Sequence, residues 1–223
     1  SRVEVLEKSF DEEGHLIDPT TIGYDKGDAL AVARLSDGGV NGGVNVDVLF
    51  NVSESQSDAW IENAVRDTLK ATGAKAIIVN NELNLALNAD DVVNNNAVPQ
   101  FRNLDRYYQQ LGTVYRIVKS INPSVQVYSY TVAPGRKYGS PPVDASGNNL
   151  FLDGKLAGEH GPDWVEKMLQ YYAQHPYSST QPIPVDGIGI NLYFPWQIKL
   201  YTDDLHTSLA KYHASHLKIF VGE

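Results

Sequence analysis

The chain contains no cysteine among its 223 residues. Disulfides, thiolate metal sites and cysteine nucleophiles are therefore excluded, and cysteine usage leaves the redox compartment open. No apolar run approaches the roughly 20 residues that a membrane-spanning helix needs, so membrane insertion is not expected. Basic residues are outnumbered: 18 Lys and Arg against 27 Asp and Glu give a net charge of −9. Such a chain lacks the basic surface that nucleic acids and anionic membranes require. No strand-like run is followed by a G-x-G-x-x-G or P-loop pattern, which disfavours nucleotide binding. No shift of composition marks a linker, and one structural domain is expected.

The residues that are present suit a neutral substrate. Hydrophobic residues make up 42% and charged residues 20%, an ordinary globular balance rather than a disordered one. Thirteen tyrosines and three tryptophans, with many asparagines, supply faces for stacking on sugars and amides for bonding their hydroxyls. An oligo- or polysaccharide is the expected partner, and an extracellular or cell-surface location fits the same composition.

The first 43 residues are expected to form N-terminal strands or an arm. Apolar runs at 3–10 and 15–17 flank an acidic Asp-Glu-Glu-Gly turn, a hairpin or an extended arm. A run at 29–35 carries Arg34 near its end and is followed by the glycine-rich loop 37–43. A second strand is predicted at 44–52, with Asn51 at its end. The connection is too short for a crossover helix. Either the two runs pair antiparallel, or residues absent from this sequence lay between them.

From residue 53 the pattern is regular. Ser55 or Ser57 caps a predicted helix whose inner face is Ile61, Ala64, Val65, Thr68 and Leu69, closed by Gly73. A buried strand at 75–80 follows and runs straight into Asn80, Asn81 and Glu82. After a polar excursion at 84–100, Asn103 caps a helix with Tyr107, Tyr108, Leu111, Val114, Tyr115 and Val118 at helical spacing. Strands at 125–130 and 185–192 and a last one at 217–221 alternate with helices that start at Pro162 and at Asp203 or Asp204. This alternation predicts an α/β fold with a parallel sheet.

Two of these strands end in glutamate, Glu82 and Glu223. Paired carboxylates at one mouth suit glycoside hydrolysis, with retention at about 5–5.5 Å separation and inversion at about 6.5–9.5 Å. Here the chain resembles the clan A glycoside hydrolases, (β/α)8 barrels with an acid/base Glu ending strand four and a nucleophile Glu ending strand seven. The pair Asn81-Glu82 matches the clan's Asn-Glu, and two strands separate it from Glu223, as strands five and six should. The resemblance implies Glu82 as general acid/base, Glu223 as nucleophile and Asn81 as a donor to the sugar 2-hydroxyl. Tyr193 matches the tyrosine that hydrogen-bonds the nucleophile, and Asn191 stands where several of these families have His. Arg34 is the candidate for the arginine ending strand two, and Asn51 for a polar residue ending strand three. Tyr130 and Trp196 are candidates to stack on sugar rings. The resemblance implies no metal or organic cofactor.

The chain departs from the clan at Leu83, where most families have Pro. Strands three to seven are clear, strands one and two are uncertain, and strand eight would lie beyond residue 223. Residues 44–223 are thus expected to be a TIM-barrel-type portion, incomplete in this chain and part of a longer protein. The rival expectation is a non-catalytic barrel, a carbohydrate-binding or structural domain of a large surface protein. His206, His213 and His216 are expected to be solvated or at the core edge rather than metal-ligating, because no acidic partner shares their spacing.

Overall fold

The structure, a computed structural model, describes residues 2–5, 9–18, 47–80, 103–131, 161–190 and 198–221. The chain is an α/β protein with parallel strands and forms two compact units. The first comprises Ser1–Asn80, Arg106–Ser129 and Pro184–Asp186; the second comprises Asn81–Asp105, Tyr130–Ile183 and Gly187–Glu223.

In the first unit, strands β1 (Arg2–Val5), β2 (Asp47–Phe50), β3 (Ala76–Val79) and β4 (Gln126–Thr131) form one parallel ladder in chain order. The register sets Val5 opposite Phe50, Phe50 opposite Val79, and Val79 opposite Ser129. Both edges of β2 are therefore occupied, by β1 and β3. This makes β1 a member of the sheet, a strand rather than an arm. The 29–35 run itself lies outside the described residues.

Helix α1 (Asp58–Thr72) starts where Ser57 Oγ accepts the Trp60 N–H at 3.1 Å, which decides between the two serines. It stops at Gly73, whose φ of +58° suits glycine and whose N–H returns to Leu69 O. Its inner face is the expected set, joined by Trp60 and Thr72. Helix α2 (Leu104–Ile121) begins after Asn103, whose Oδ1 accepts the Asp105 N–H at 3.0 Å.

Sheet register and side-chain contacts show which face the helices cover. Phe50 meets Phe10, which packs edge-on against Trp60 of α1, and Ser129 meets Tyr107 of α2. Phe50, Val79 and Ser129 share one layer of the ladder, so both helices lie on that face. Leu49, Ala76 and Ile78 point to the other face and are buried too. A sheet buried on both sides explains why β3 reads as an unbroken apolar run rather than an alternating one.

The segment 9–18 is docked on α1. A turn at Asp11–Gly14 closes an isolated antiparallel bridge between Phe10 and Leu16. Trp60 Nε1 donates to Asp11 O at 3.1 Å, Asn63 Nδ2 to Glu13 O at 2.8 Å, and the Leu16 N–H to Asp67 Oδ2 at 3.0 Å. Of the two expected forms, hairpin or extended arm, this is a short hairpin-like turn.

The second unit holds helix α3 (Gly161–Gln174), β5 (Gly187–Ile190), helix α4 (Ile198–Lys211) and β6 (Lys218–Val221). Strands β5 and β6 are parallel, with Ile190 opposite Val221. Helices α3 and α4 pack together, burying Val165, Met168, Leu169 and Tyr172 from one and Tyr201, Leu205 and Leu209 from the other. Lys211 Nζ donates to Glu166 across them. Asp203 and Asp204 are not caps: α4 begins at Ile198, and Asp203 lies inside it, paired with Lys199 one turn back at 2.5 Å. A carboxylate four residues after a lysine satisfies itself in a helix interior and needs no exposed amides. Tyr212 is half-buried and donates to Glu166 Oε1 at 3.5 Å.

Candidate functional site

The C-terminal ends of β2 and β3 are fastened by Asn80. This residue follows the last residue of β3, is 2% exposed and has φ of +58°. Few side chains tolerate that left-handed conformation, and Asn is among them. Its N–H donates to Phe50 O at 2.9 Å, one more rung of the ladder. Its carboxamide then turns onto Val52: Nδ2 donates to Val52 O at 2.8 Å and Oδ1 accepts the Val52 N–H at 3.2 Å. Three hydrogen bonds thus end β3, bend the chain and close off the tip of β2. Both ends of the carboxamide bond backbone, so Asn80 supports the tip.

A second fastening joins β3 to β4. Tyr107, 1% exposed near the start of α2, donates its phenol to Val79 O at 3.3 Å. The Ser129 hydroxyl lies 3.2 Å from the Tyr107 phenol oxygen and, with the phenol proton given to Val79 O, donates to it. Burial pushes the Tyr107 phenol pKa above the ordinary tyrosine range, and the Ser129 hydrogen bond offsets only part of that rise. The phenol is therefore a neutral hydrogen-bonding bracket. Behind β2, the loop to α1 is also held: Gln110 Nε2 donates to Ser53 O at 2.8 Å and Gln56 O at 3.1 Å, and Arg106 bonds Gln56 O at 2.7 Å and Asp58 at 3.1 Å.

These bonds hold the ends of β2, β3 and β4, where some of the candidate residues stand or follow in sequence. Asn51 follows the last residue of β2 and is half-buried at the tip that Asn80 clamps. Tyr130 belongs to the last turn of β4 before its end at Thr131. Asn81 and Glu82 come directly after Asn80 in sequence, Asn191 directly after β5, and Glu223 two residues after β6. Asn81, Glu82, Asn191, Tyr193, Trp196, Glu223 and Arg34 themselves lie outside the described residues. The strand on the far side of β2 from β3, the place assigned by resemblance to the run bearing Arg34, is β1.

Sequence reasoning singled out the polar tip of β3 but missed its division of labour. Asn80 and Asn81 are indistinguishable as letters, and only the backbone shows that the first takes the left-handed turn. Tyr107 was legible only as one more member of an apolar stripe. The available signal was its hydroxyl, which a buried tyrosine must satisfy somewhere.

Among the described residues no group of three or more His, Asp or Glu is placed to hold a metal ion. His206, His213 and His216 are all exposed, and His213 takes a left-handed φ of +56° just past α4. No helix of the described residues is long and apolar enough to cross a membrane. No protein-family model matches the chain, and no curated protein matches it.

Proposed function

We propose that the protein is a retaining glycoside hydrolase of (β/α)8-barrel type, with Glu82 as general acid/base and Glu223 as nucleophile. The observation that carries this reading is that β3 and β6, which these glutamates follow, each lie in a parallel ladder. In parallel α/β barrels the C-terminal strand ends form the catalytic mouth. The barrel is favoured over a doubly wound sheet by two features. Strands β1 to β4 neighbour one another in chain order with no reversal, whereas doubly wound sheets reverse at a switch point. Helices α1 and α2 cover one face only, while the opposite face is also buried at Leu49, Ala76 and Ile78. A sheet curling on itself covers that second face without a second helix layer.

In this mechanism Glu82 is protonated at the start and Glu223 is ionised. The negative charge of Glu223 raises the Glu82 pKa, so that one carboxyl donates while the other attacks. Glu223 attacks the anomeric carbon as Glu82 protonates the departing glycosidic oxygen. Glu82 then removes a proton from water, which displaces Glu223 and restores both groups. Asn81 would bond the sugar 2-hydroxyl, Tyr193 would hold Glu223, and Tyr130 and Trp196 would stack on rings. The substrate is an oligo- or polysaccharide, and an extracellular or cell-surface setting suits it. No step needs a metal or organic cofactor.

Turnover of a panel of aryl glycosides by the protein, Glu82→Gln and Glu223→Gln tests the assignment. Each substitution is expected to lower kcat by a factor of at least about 100 to 10,000. Turnover unchanged in both variants, or no turnover of any aryl glycoside by the unmodified protein, would contradict it.

A further inference from the structure

The opposite end of the same ladder carries a cleft of different character. At the N-terminal ends of β3 and β4, where α1 and α2 finish, a cleft of about 360 Å³ opens. Ligand pockets begin at roughly this volume. Arg66, Lys70 and Lys75 line it with no acidic residue among its described lining residues, and Ile121 supplies exposed apolar surface beside the nearly buried Leu69 and Val125.

Both features are out of character for this chain. Acidic residues outnumber basic ones 27 to 18 overall, so three cations around one cleft without a carboxylate invert the average. Arg66 is partly engaged by Glu62 at 2.8 Å, and the guanidinium beside Glu62 holds that carboxyl below its usual range. Lys70 and Lys75 are exposed, and their ammonium groups make no hydrogen bond or ion pair among the described residues; the Lys75 carbonyl accepts the Gln126 N–H. Lys70 in the last turn of α1 complements the helix dipole. Lys75 lies beyond the Gly73 cap and needs another explanation. Ile121 is 40% exposed, one of the few large apolar side chains so open among the described residues.

We propose that this cleft binds an amphiphilic organic anion, a carboxylate head on a short apolar chain. The head sits between Lys70 and Lys75, where a charge-assisted hydrogen bond is stronger than a neutral one. The chain lies against Ile121 and Val125. A bare inorganic anion has no use for Ile121, and a neutral hydrocarbon has none for two unpaired ammonium groups. The site is separate from the strand tips bearing the glycosidase candidates and does not depend on that activity.

Titration of the full chain with sodium octanoate, followed through the backbone amide signals of Gly73, Ala74 and Asn122, tests the proposal. Saturable shifts with Kd below about 1 mM are expected. Octan-1-ol and sodium acetate should each bind at least about tenfold more weakly, and so should octanoate to the Lys70→Glu/Lys75→Glu variant. Both lysines are exposed, so that variant is expected to stay folded, its circular dichroism melt lowered only slightly by the reversed charge at the C-terminus of α1. Equal binding of octan-1-ol would show an apolar dent only, and equal binding of acetate an adventitious ion only. Either result overturns the proposal, as does undiminished octanoate binding by the double variant or no saturable shift at millimolar octanoate. If the double variant melts early, Lys75→Gln alone gives the decisive comparison.

Discussion

Asn80 grips Val52 by both ends of one peptide group's neighbourhood, donating to its carbonyl at 2.8 Å and accepting its N–H at 3.2 Å. Replacing Asn80 by Ala removes both bonds, leaves Val52 N and O buried without partners, and forces a β-carbon without local hydrogen bonds into the left-handed region. A loss of about 3 kcal/mol is expected from these combined costs. Asn80→Gly keeps the backbone conformation and loses only the clamp, so its loss should be smaller by about 1 kcal/mol. Urea unfolding of the two variants separates conformation from clamp. Equal losses would show that φ contributes nothing.

Tyr107 and Tyr128 give the protein an alkaline limit. Burial raises the Tyr107 phenol pKa; burial, then the carboxylates of Asp186 and Asp47, raise that of Tyr128. In the unfolded chain both phenols lose their protons near pH 10. A group raised in the folded state contributes stability that is fully present below that pH and is lost as pH rises toward its folded pKa. Stability should therefore hold up to about pH 10 and fall above it. In Tyr107→Phe the slope above that pH should be shallower by about 1.4 kcal/mol per pH unit. Circular dichroism melts from pH 8 to 12, with tyrosinate absorbance read in parallel, check this.

Lys119 and Asp186 fasten the start of β4. Lys119 Nζ lies 2.7 Å from Asp186 Oδ2 and 2.7 Å from Val125 O, and the same carboxylate oxygen accepts the Val127 N–H at 2.8 Å. Both side chains are only about a fifth exposed. Asp186→Ala leaves the Val127 amide without its acceptor and strips the Lys119 ammonium of its counter-charge, leaving it only the Val125 and Pro123 carbonyls, and a loss of about 2–3 kcal/mol is expected. Lys119→Met keeps an unbranched apolar stem, loses the ammonium that lies 5.3 Å from the Tyr115 ring centroid, and should cost less. A double-mutant cycle should return a coupling of about 1 kcal/mol or more, and a coupling near zero would show that the pair is only adjacent.

Gly14 controls the docking of segment 9–18. Its φ is +86°, and a β-carbon there would lie 2.3 Å from Trp60 O. Gly14→Ala therefore cannot keep both the turn and its seat on α1. Hydrogen exchange at Leu16 and Ile17, whose amides are bonded to Asp67 and Ser9, should accelerate at least about tenfold while exchange in β3 is unchanged. Unaltered protection at both residues would contradict the docked turn.

What the sequence disclosed follows the range of the forces involved. Helices α1 and α2 were legible almost to the residue because Ser57, Gly73 and Asn103 act within a turn of themselves. Helix α4 was misjudged at its start because Asp203 has the same letter whether it caps a helix or pairs with Lys199. Strand β1 was read only as part of the run at 3–10, in a hairpin or an arm, and its pairing was not legible: its four residues alternate charged and apolar, and its partner β2 begins more than forty residues later. Strand pairing is a long-range choice that no local pattern announces. At the candidate site, the Asn-Asn-Glu tip stood out because polar residues ending a buried strand are costly without a purpose. That Asn80 is consumed by structure, leaving Asn81 and Glu82 as the residues to test, emerged only from its φ and its two bonds to Val52.

The central claim, that Glu223 attacks sugar and Glu82 serves as acid/base, is tested most directly by trapping the covalent intermediate. The protein is incubated with a panel of 2-deoxy-2-fluoro glycosyl fluorides and examined by intact and peptide mass spectrometry. A retaining glycosidase of this design predicts one fluoroglycosyl adduct, on the peptide carrying Glu223, that does not form in Glu223→Gln. An adduct on any other residue, or no adduct with any sugar of the panel, contradicts it.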